Sequence, residues 1–362
     1  MISRDTKIST TALINNLKIF RTASFPKGLF DIFKGVFMSA QRYTGPDIFR
    51  ALCCIGVVTY HTFDDILVFT AGRPTASMLI YFLASFCVSG FFMLSGYLAG
   101  KKKEIDAVYP FRKIADIIVK YSFWLLVARQ VRFFCGKSVL PLAEDFRKSF
   151  ASGGSLPVAW FLYTYMVIIL FSGLLHLLMR KNIKIFAVAT AGMLMLCLIP
   201  NDYNMLNRAQ HQWFILYGAF FMVGMLFGNF DHYFDSTKVR LSLLAVNIAF
   251  FAVYMYVVFS SAEFTFPHTH YSRYYYMIWL ISLFMLVCRT DIPWPKVKGF
   301  VSFIAGSSFT IYMLHLSLLS VMGMVFTPAG VVQTAVVTAT VSLICAVVGY
   351  IMKKIPVLKY LA

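Results

Sequence analysis

Ten long apolar stretches limit, more than any other feature, what this chain can fold into. A helix needs about 20 apolar residues to cross the ~30 Å hydrocarbon core of a bilayer, and each stretch approaches or exceeds that length. Because the stretches are continuously apolar and do not alternate with polar residues, they predict helices and not strands. The sequence therefore predicts an all-α, polytopic membrane bundle of about ten transmembrane helices. The stretches lie near residues 46–69, 75–99, 113–134, 157–179, 184–200, 211–229, 240–260, 271–288, 300–322 and 331–352.

Composition supports a membrane protein and excludes a nucleic-acid-binding one. Hydrophobic residues make up 59% of the chain and charged residues 13%, whereas soluble domains are about 45–50% apolar. The net charge of +18 would suit nucleic acid if the basic residues formed one patch on a soluble domain. They instead form short clusters between the apolar stretches, which predicts a lipid bilayer as the partner and no nucleic acid.

The basic residues also predict an orientation. Alternate connecting segments hold 24 Lys and Arg residues on the side of the N-terminus and 8 on the opposite side, with Lys120 inside a stretch. Since cytoplasmic loops carry the excess of Lys and Arg in membrane proteins, both termini are predicted to be cytoplasmic.

Three segments follow from these boundaries. Residues 1–45 are a cytoplasmic leader, 46–355 a transmembrane domain and 356–362 a cytoplasmic tail. Within the leader, the apolar residues of 28–38 cluster opposite Asp31 and Lys34. This pattern favours an interfacial amphipathic helix or a disordered basic tail in equal measure.

No metal site is predicted. The seven cysteines include no CxxC pair, and all but Cys135 fall inside apolar stretches, which is typical of small buried hydrophobes. His268 and His270 lie in a connecting loop without enough neighbouring ligands to hold a metal ion.

Two ionisable residues of the first stretch, Arg50 and His61, carry the strongest functional signal. Such residues cost at least a few kcal/mol inside a bilayer, so they mark functional sites by default. Eleven residues at about 100° each come within ~20° of three full turns, which places both side chains on one helical face about 16 Å apart. The alternatives are an Arg that only anchors the helix by snorkelling and a buried His that bonds a neighbouring helix.

The separation of Arg50 and His61 suits a long, thin substrate such as coenzyme A. A guanidinium binds phosphates bidentately, so Arg50 could hold the anionic head at the inner surface. An imidazole takes a proton near neutral pH, so His61 could activate a hydroxyl that attacks a thioester at the other end.

The same residues carry a resemblance to a known family. The segment 47–52, running on to His61, is similar to the first-helix signature of acyltransferase-3 proteins, an Arg followed eleven positions later by a His. Residues 91–98, FFMLSGYL, resemble the family's second signature. Weaker similarities over residues 46–355 are the basic pair Arg112 and Lys113, the run Trp160-Phe161-Leu162, and Ser308, Tyr312 and His315 at their spacing.

The resemblance implies a membrane O-acyltransferase that uses acyl-CoA, usually acetyl-CoA, as co-substrate and no metal. The acceptor would be a hydroxyl of a cell-envelope glycan, a lipid-linked sugar or a related product, which implies a multi-pass protein of the plasma membrane, in bacteria the inner membrane. The alternative from another class is a transporter or flippase for a polysaccharide precursor or small solute, with Arg50 and His61 as substrate or proton-relay groups.

Catalytic and donor-binding roles follow from the resemblance. His61 is expected to be the general base or, as an alternative, a transient acyl carrier. Asp65, on the next turn, could fix its tautomer or could simply cap the helix. Donor binding is expected from four residues: Arg50, Arg112, Lys113 and Ser95. Ser95 could also belong with Gly96 and Gly100 to a close helix contact.

Four further residues are candidates for the acyl or acceptor path. Tyr312 and His315 are expected to line it, although a structural role for His315 is equally open. Trp160 and Tyr163 could stack against a sugar, although aromatic residues of this kind also belong to interfacial belts.

Overall fold

A computed structural model describes residues 44–67, 79–80, 83–150, 154–198, 212–260, 273–326, 328 and 330–362. Nearly all of the leader, including residues 28–38, and the loop with His268 and His270 lie outside these residues. Every apolar stretch predicted from the sequence contains one or more helices, and the described residues contain no strand. The all-α prediction is therefore confirmed.

The helices alternate with short connections along the chain. Single-turn 3₁₀ helices occur at Pro157–Ala159, Asp231–Asp235 and Leu358–Tyr360. The α-helices are α1 (Gly45–Leu67), α2 (Cys87–Gly100), α3 (Tyr109–Phe134), α4 (Leu142–Phe150), α5 (Trp160–Leu170), α6 (Ser172–Lys181), α7 (Ile183–Cys197), α8 (Gln212–Phe230), α9 (Thr237–Ser260), α10 (Tyr274–Cys288), α11 (Pro295–Gly306), α12 (Ser308–Val325) and α13 (Val331–Lys354).

Several helices are long and apolar enough to cross a membrane. Within the described ranges four helical segments meet this condition, namely 214–235, 237–257, 308–325 and 331–354. The segment formed by 157–170 and 172–181 is a fifth if its 43° bend is counted as one broken span. Helices α2, α7 and α10 are apolar but shorter. The protein is thus a helical membrane protein, and ten spans remain a prediction.

The predicted stretch 300–322 divides into two helices. Residues 300–322 belong partly to α11 and partly to α12, with Ser307 between them. The Ser307 hydroxyl donates to the Ala346 carbonyl of α13 at 3.0 Å, which satisfies this buried hydroxyl at the break. The break begins α12 at Ser308, beside the cavity described below.

Helices α2 and α8 are packed by reciprocal glycines. A Cβ atom at Gly96 or Gly100 would overlap the backbone of Phe221 or Met225. Conversely, a Cβ at Gly224 would overlap the Met93 carbonyl. Because small residues let two membrane helices approach to backbone contact, the predicted packing role of Gly96 and Gly100 is confirmed. The partner motif on α8 was not recognised in the sequence.

A partly buried ionic cluster, the Arg289 clamp, joins helix ends at the side of the bundle where α1 begins, here called the Thr44 end. It comprises Arg289, Asp231, Asp235, Lys101 and Tyr97. The Arg289 guanidinium donates to Asp231 at 3.0 Å and is also bonded to Asp235. Lys101 pairs with Asp231, and the Tyr97 hydroxyl donates to the same carboxylate at 2.8 Å. The clamp therefore ties α2 and α10 to the end of α8.

The opposite side, where α3 ends and α5 begins, is here called the Trp160 end. There the Arg129 guanidinium donates to the buried Asp145 carboxylate at 2.6 Å and to the Leu140 carbonyl at 2.7 Å. The Ser155 amide and hydroxyl also donate to Asp145, at 2.6 and 2.7 Å. Burial by itself would raise the pKa of the Asp145 carboxyl, but these hydrogen bonds hold it below its ordinary value. Asp145 thus fastens α4 and the residues before α5 onto α3.

Candidate functional site

Arg50 opens onto a cavity of about 380 Å³ between α1, α2, α3, α5 and α12, here called the Arg50 cavity. The Arg50 side chain is 24% exposed, and among the described residues its ion pair is with Asp47, at the long distance of 3.8 Å. A charge in this state keeps most of its hydrogen-bonding capacity for a ligand, because Arg carries five donors. The cavity is therefore equipped to take an anion at Arg50.

Helix α3 adds further charge to the Arg50 cavity through Lys113, Asp116 and Lys120. Asp116 lies 3.5 Å from Lys113 and 3.3 Å from Lys120. The spacing of three and four residues places the three groups on one helical face. One carboxylate cannot neutralise two ammonium groups and Arg50, so the described lining has an excess of positive charge.

Lys102 also lines the Arg50 cavity. Its ammonium lies 3.5 Å from the centre of the Tyr109 ring, and its carbonyl accepts hydrogen bonds from Arg180 and His176 at 2.7 and 3.0 Å. These contacts fix the connection between α2 and α3 at the rim of the cavity. Its neighbour Lys101 is instead engaged in the Arg289 clamp.

Arg112, the other predicted donor ligand on α3, lies elsewhere. It is 75% exposed, pairs loosely with Asp106 at 3.9 Å, and is not part of the described cavity lining. A helical step of about 100° separates its face from that of Lys113. The structure therefore groups Lys113 with Arg50 and leaves Arg112 on the surface.

Ser95 lies on the wall of the Arg50 cavity, next to the Tyr165 hydroxyl, with which it interacts. Its position on α2 is one residue before Gly96, so the close contact of α2 with α8 fixes the helical face that Ser95 presents. The structure therefore gives this segment both a packing glycine and a hydroxyl at the cavity.

Three aromatic rings, Phe91, Phe161 and Tyr312, form one side of the Arg50 cavity. The Phe161 and Tyr312 ring centres are 4.8 Å apart, and Phe91 lies 6.0 and 6.2 Å from them. The Tyr312 hydroxyl donates to the Val158 carbonyl at 3.3 Å. Since Val158 lines a cavity at the other end of the bundle, these rings form a partition between the two ends.

His61 lies beyond this partition and lines two cavities at the Trp160 end, here called the His61 cavities. One, of about 410 Å³, includes Trp160, Arg132 and Ser155, and the other, of about 370 Å³, includes Lys137. Helix α12 lines both of them and also lines the Arg50 cavity. Arg50 and His61 therefore both face α12, from one side of α1.

A second imidazole stands beside His61. The ring centres of His61 and His315 are 5.2 Å apart, and those of His315 and Tyr312 are 6.0 Å apart. His315 Nδ1 lies 3.1 Å from the Ile311 carbonyl, which can only accept, so Nδ1 carries the hydrogen. In the neutral ring Nε2 then keeps its lone pair, and this buried atom has no hydrogen-bond partner within the described residues.

The remaining predicted residues separate from one another. Trp160 lines a His61 cavity, whereas Tyr163, one turn on, is 42% exposed and packs its ring 5.9 Å from Phe150. The backbone of Asp65 belongs to α1, one turn after His61. The side chain of Asp65 lies outside the described residues, so its bond to His61 stays a prediction.

Sequence reasoning missed three cavity cations: Lys120, Arg132 and Lys137. Lys120 had a usable signal, because it lies seven residues after Lys113 and hence on the same face of α3. Arg132 and Lys137 had none, because their place depends on how the chain after α3 folds back. No group of three metal-ligating side chains occurs in the part of the chain that the structure describes.

Comparison with protein-family models gives a match over most of the chain. A family model described as an acyltransferase domain, of the acyltransferase-3 type, matches residues 43–352. This range includes Arg50, His61 and all the cavity residues named above. Searches of curated proteins and of solved structures returned no match.

Proposed function

The chain belongs to the acyltransferase-3 family of membrane acyltransferases, and from this premise we propose that it moves an acetyl group from acetyl-CoA to a hydroxyl of a cell-envelope glycan or lipid-linked sugar. The Thr44 end faces the cytoplasm, where acetyl-CoA is available, and the protein lies in the plasma membrane.

One observation carries the proposal: an arginine and a histidine of α1 open onto successive cavities that the same helix, α12, also lines. Arg50 opens onto the Arg50 cavity and His61 onto both His61 cavities, with α12 lining all three. Their separation of about 16 Å along α1 suits a donor whose charged head and thioester are far apart. An Arg that only anchored α1 and a His that only bonded a neighbouring helix would not explain why each side chain lines a cavity.

Donor binding is assigned to the excess positive charge of the Arg50 cavity. Arg50 and Lys120 bind phosphate oxygens, with Lys113 adding charge, because charge-assisted hydrogen bonds to phosphate are roughly twice as strong as neutral ones. Ser95 lines the path of the pantetheine arm. The arm passes Phe161 and Tyr312, whose rings must part to admit it, and so carries the thioester toward His61.

Transfer proceeds by general-base catalysis at His61. The imidazole takes the proton of the acceptor hydroxyl as the oxygen forms a bond to the thioester carbonyl carbon. The tetrahedral intermediate then breaks its carbon–sulfur bond, and the CoA thiolate leaves and receives the proton from His61. His315, closed off from the cavities, orients His61 and is not itself the base.

The test is acetyl transfer by purified protein supplied with acetyl-CoA and a glycolipid extract of the source membrane. Released thiol reports consumption of the donor, and mass spectrometry finds the acceptor that gains an acetyl unit. We expect His61→Ala to abolish both signals while remaining monodisperse and binding CoA as tightly as wild type. Thiol release at the wild-type rate by this variant would refute the assigned mechanism.

The same assay separates the proposal from transport. A flippase or transporter would move solute across a vesicle membrane without releasing CoA. An acyltransferase consumes one thioester for each acylated product. Solute flux with no thiol release by the wild-type protein would overturn the proposed function.

A further inference from the structure

The His61 cavities are lined by two cations, Arg132 and Lys137, that are not part of the proposed donor site. Arg132 lines the same cavity as His61 and Trp160, and Lys137 lines the other cavity with His61 and Ser320. Both lie at the Trp160 end, across the aromatic partition from the cavity assigned to the CoA phosphates. Their charge therefore faces the site assigned to the acceptor.

Neither cation is neutralised by a carboxylate among the residues that the structure describes. Arg132 donates to the Ser138 carbonyl at 3.3 Å, and its buried Nε has no hydrogen-bond partner there. The Lys137 ammonium lies 3.5 Å from the Ser320 hydroxyl. Arg129, one turn before Arg132, is by contrast paired with Asp145 at 2.6 Å. Arg129, which holds the loop, is therefore paired with a carboxylate, whereas Arg132, at the cavity, has no carboxylate partner among the described residues.

A buried guanidinium nitrogen without a partner is costly to leave unsatisfied. A ligand carboxylate or phosphate in the cavity would pair with the Arg132 charge, because guanidinium binds both groups bidentately. The hydroxyls of Ser155, Ser317 and Ser320 in the same cavities can bond the hydroxyls of a sugar. Cations, hydroxyls and one aromatic ring together suit an acidic sugar.

We propose that Arg132 and Lys137 form an anion-binding subsite, and that the acceptor is a sugar bearing a carboxylate or phosphate near the hydroxyl that His61 activates. This inference rests on the proposed function where it identifies the bound sugar as the acyl acceptor. The subsite itself can be tested by binding alone. The two sources of negative charge, a uronic acid and a sugar phosphate, share one recognition chemistry.

The experiment measures binding of small probes to full-length protein in detergent by saturation-transfer NMR. Methyl β-D-glucuronide and glucose 6-phosphate are the anionic probes, and methyl β-D-glucoside is their neutral counterpart. Saturating CoA is included, so that the cations of the Arg50 cavity are occupied. The variants are Arg132→Gln, Lys137→Gln and the double variant. Lys148→Gln is the control, because Lys148 lies at the same end, is paired with Glu144 and is absent from the described lining of both cavities.

We expect at least one anionic probe to bind wild type and Lys148→Gln about tenfold more tightly than the glucoside, the size expected for one charge-assisted contact. The tighter of the two identifies the carboxylate or the phosphate source. The double variant should bind all three probes alike. If the double variant does not fold, Lys137→Gln alone should weaken binding of the anionic probe about threefold, as expected for an exposed charge contact.

Equal binding of charged and neutral probes to wild type would overturn the subsite, as would undiminished anion binding by the folded double variant or, if that does not fold, by Lys137→Gln. Failure of the proposed function has a different signature. In that case the anionic probe binds as expected, but the wild-type protein releases no CoA from acetyl-CoA in the presence of a membrane extract.

Discussion

Each end of the bundle contains an arginine held by one or two carboxylates and another arginine that opens onto a cavity. At the Thr44 end Arg289 is 5% exposed and bonded to Asp231 and Asp235, whereas Arg50 has only Asp47, at 3.8 Å, among the described residues. At the Trp160 end Arg129 is bonded to Asp145, whereas Arg132 leaves a buried nitrogen without a described partner. The comparison separates cations that hold helices from cations available to a ligand.

The difference follows from the cost of burying charge. A guanidinium removed from water is tolerated when carboxylates and carbonyls satisfy it, and the result is a fixed structural contact. A guanidinium at a cavity keeps its donors free, and these donors form hydrogen bonds only when an anion binds. Substitutions at the first kind should therefore reduce stability, and substitutions at the second kind should reduce ligand binding.

The largest effect is expected for Arg289→Gln. Removing this guanidinium leaves Asp231 buried with one cation fewer, and breaking such a pair costs about 3–5 kcal/mol. Thermal unfolding in detergent should show a much lower midpoint than wild type. Lys298→Gln is the control, because Lys298 is exposed and lies 3.9 Å from Asp291. A midpoint unchanged by Arg289→Gln would break the distinction between paired and cavity arginines.

Arg50→Gln should do the opposite, with an unchanged melting midpoint and a loss of about 100-fold in kcat/KM for acetyl-CoA. This loss corresponds to about 2.7 kcal/mol, within the range expected for charge-assisted hydrogen bonds to phosphate. Arg112→Gln is the matched control and should change kcat/KM less than about twofold. Comparable losses in the two variants would contradict the assignment of the phosphate site to the cavity.

Asp145→Asn should lower stability by about 2 kcal/mol, the size of hydrogen bonds to a charged group. Because the folded-state pKa of this carboxyl lies below its ordinary value, its stabilising contribution is complete above the unfolded-state pKa of about 3.9 and is lost as the pH falls through the folded-state value. The melting difference between wild type and variant should thus persist from pH 8 to 5 and shrink below pH 4. A difference that grows on acidification would contradict the pairing.

Lys120→Gln should have the smallest effect of the four, raising KM for acetyl-CoA about tenfold with little change in kcat. Lys120 adds one charge to the Arg50 cavity and also forms an ion pair with Asp116. Its loss therefore removes a single phosphate contact. Lys103, which is absent from the described lining of that cavity, provides the control Lys103→Gln. An equal KM for acetyl-CoA in the two variants would contradict the assignment of Lys120 to the donor site.

The sequence could predict features that depend on one helix but not those that depend on several. The spacing of Arg50 and His61 is a property of α1 alone, and the packing role of Gly96 needs only a small residue at the right place. The choice of Lys113 and Lys120 over Arg112 depends on how α3 is rotated against α1. Arg132 was not predicted, because its cavity forms only when Asp145 fastens the loop after α3.

The most direct test of the central claim is a cryo-EM structure with a non-hydrolysable acetyl-CoA analogue. We predict phosphate oxygens at about 3 Å from the Arg50 and Lys120 side chains, the Phe161 and Tyr312 rings moved apart, and the acyl end beside His61. Phosphates bound at the Trp160 end, or at the surface beside Arg112, would contradict the account.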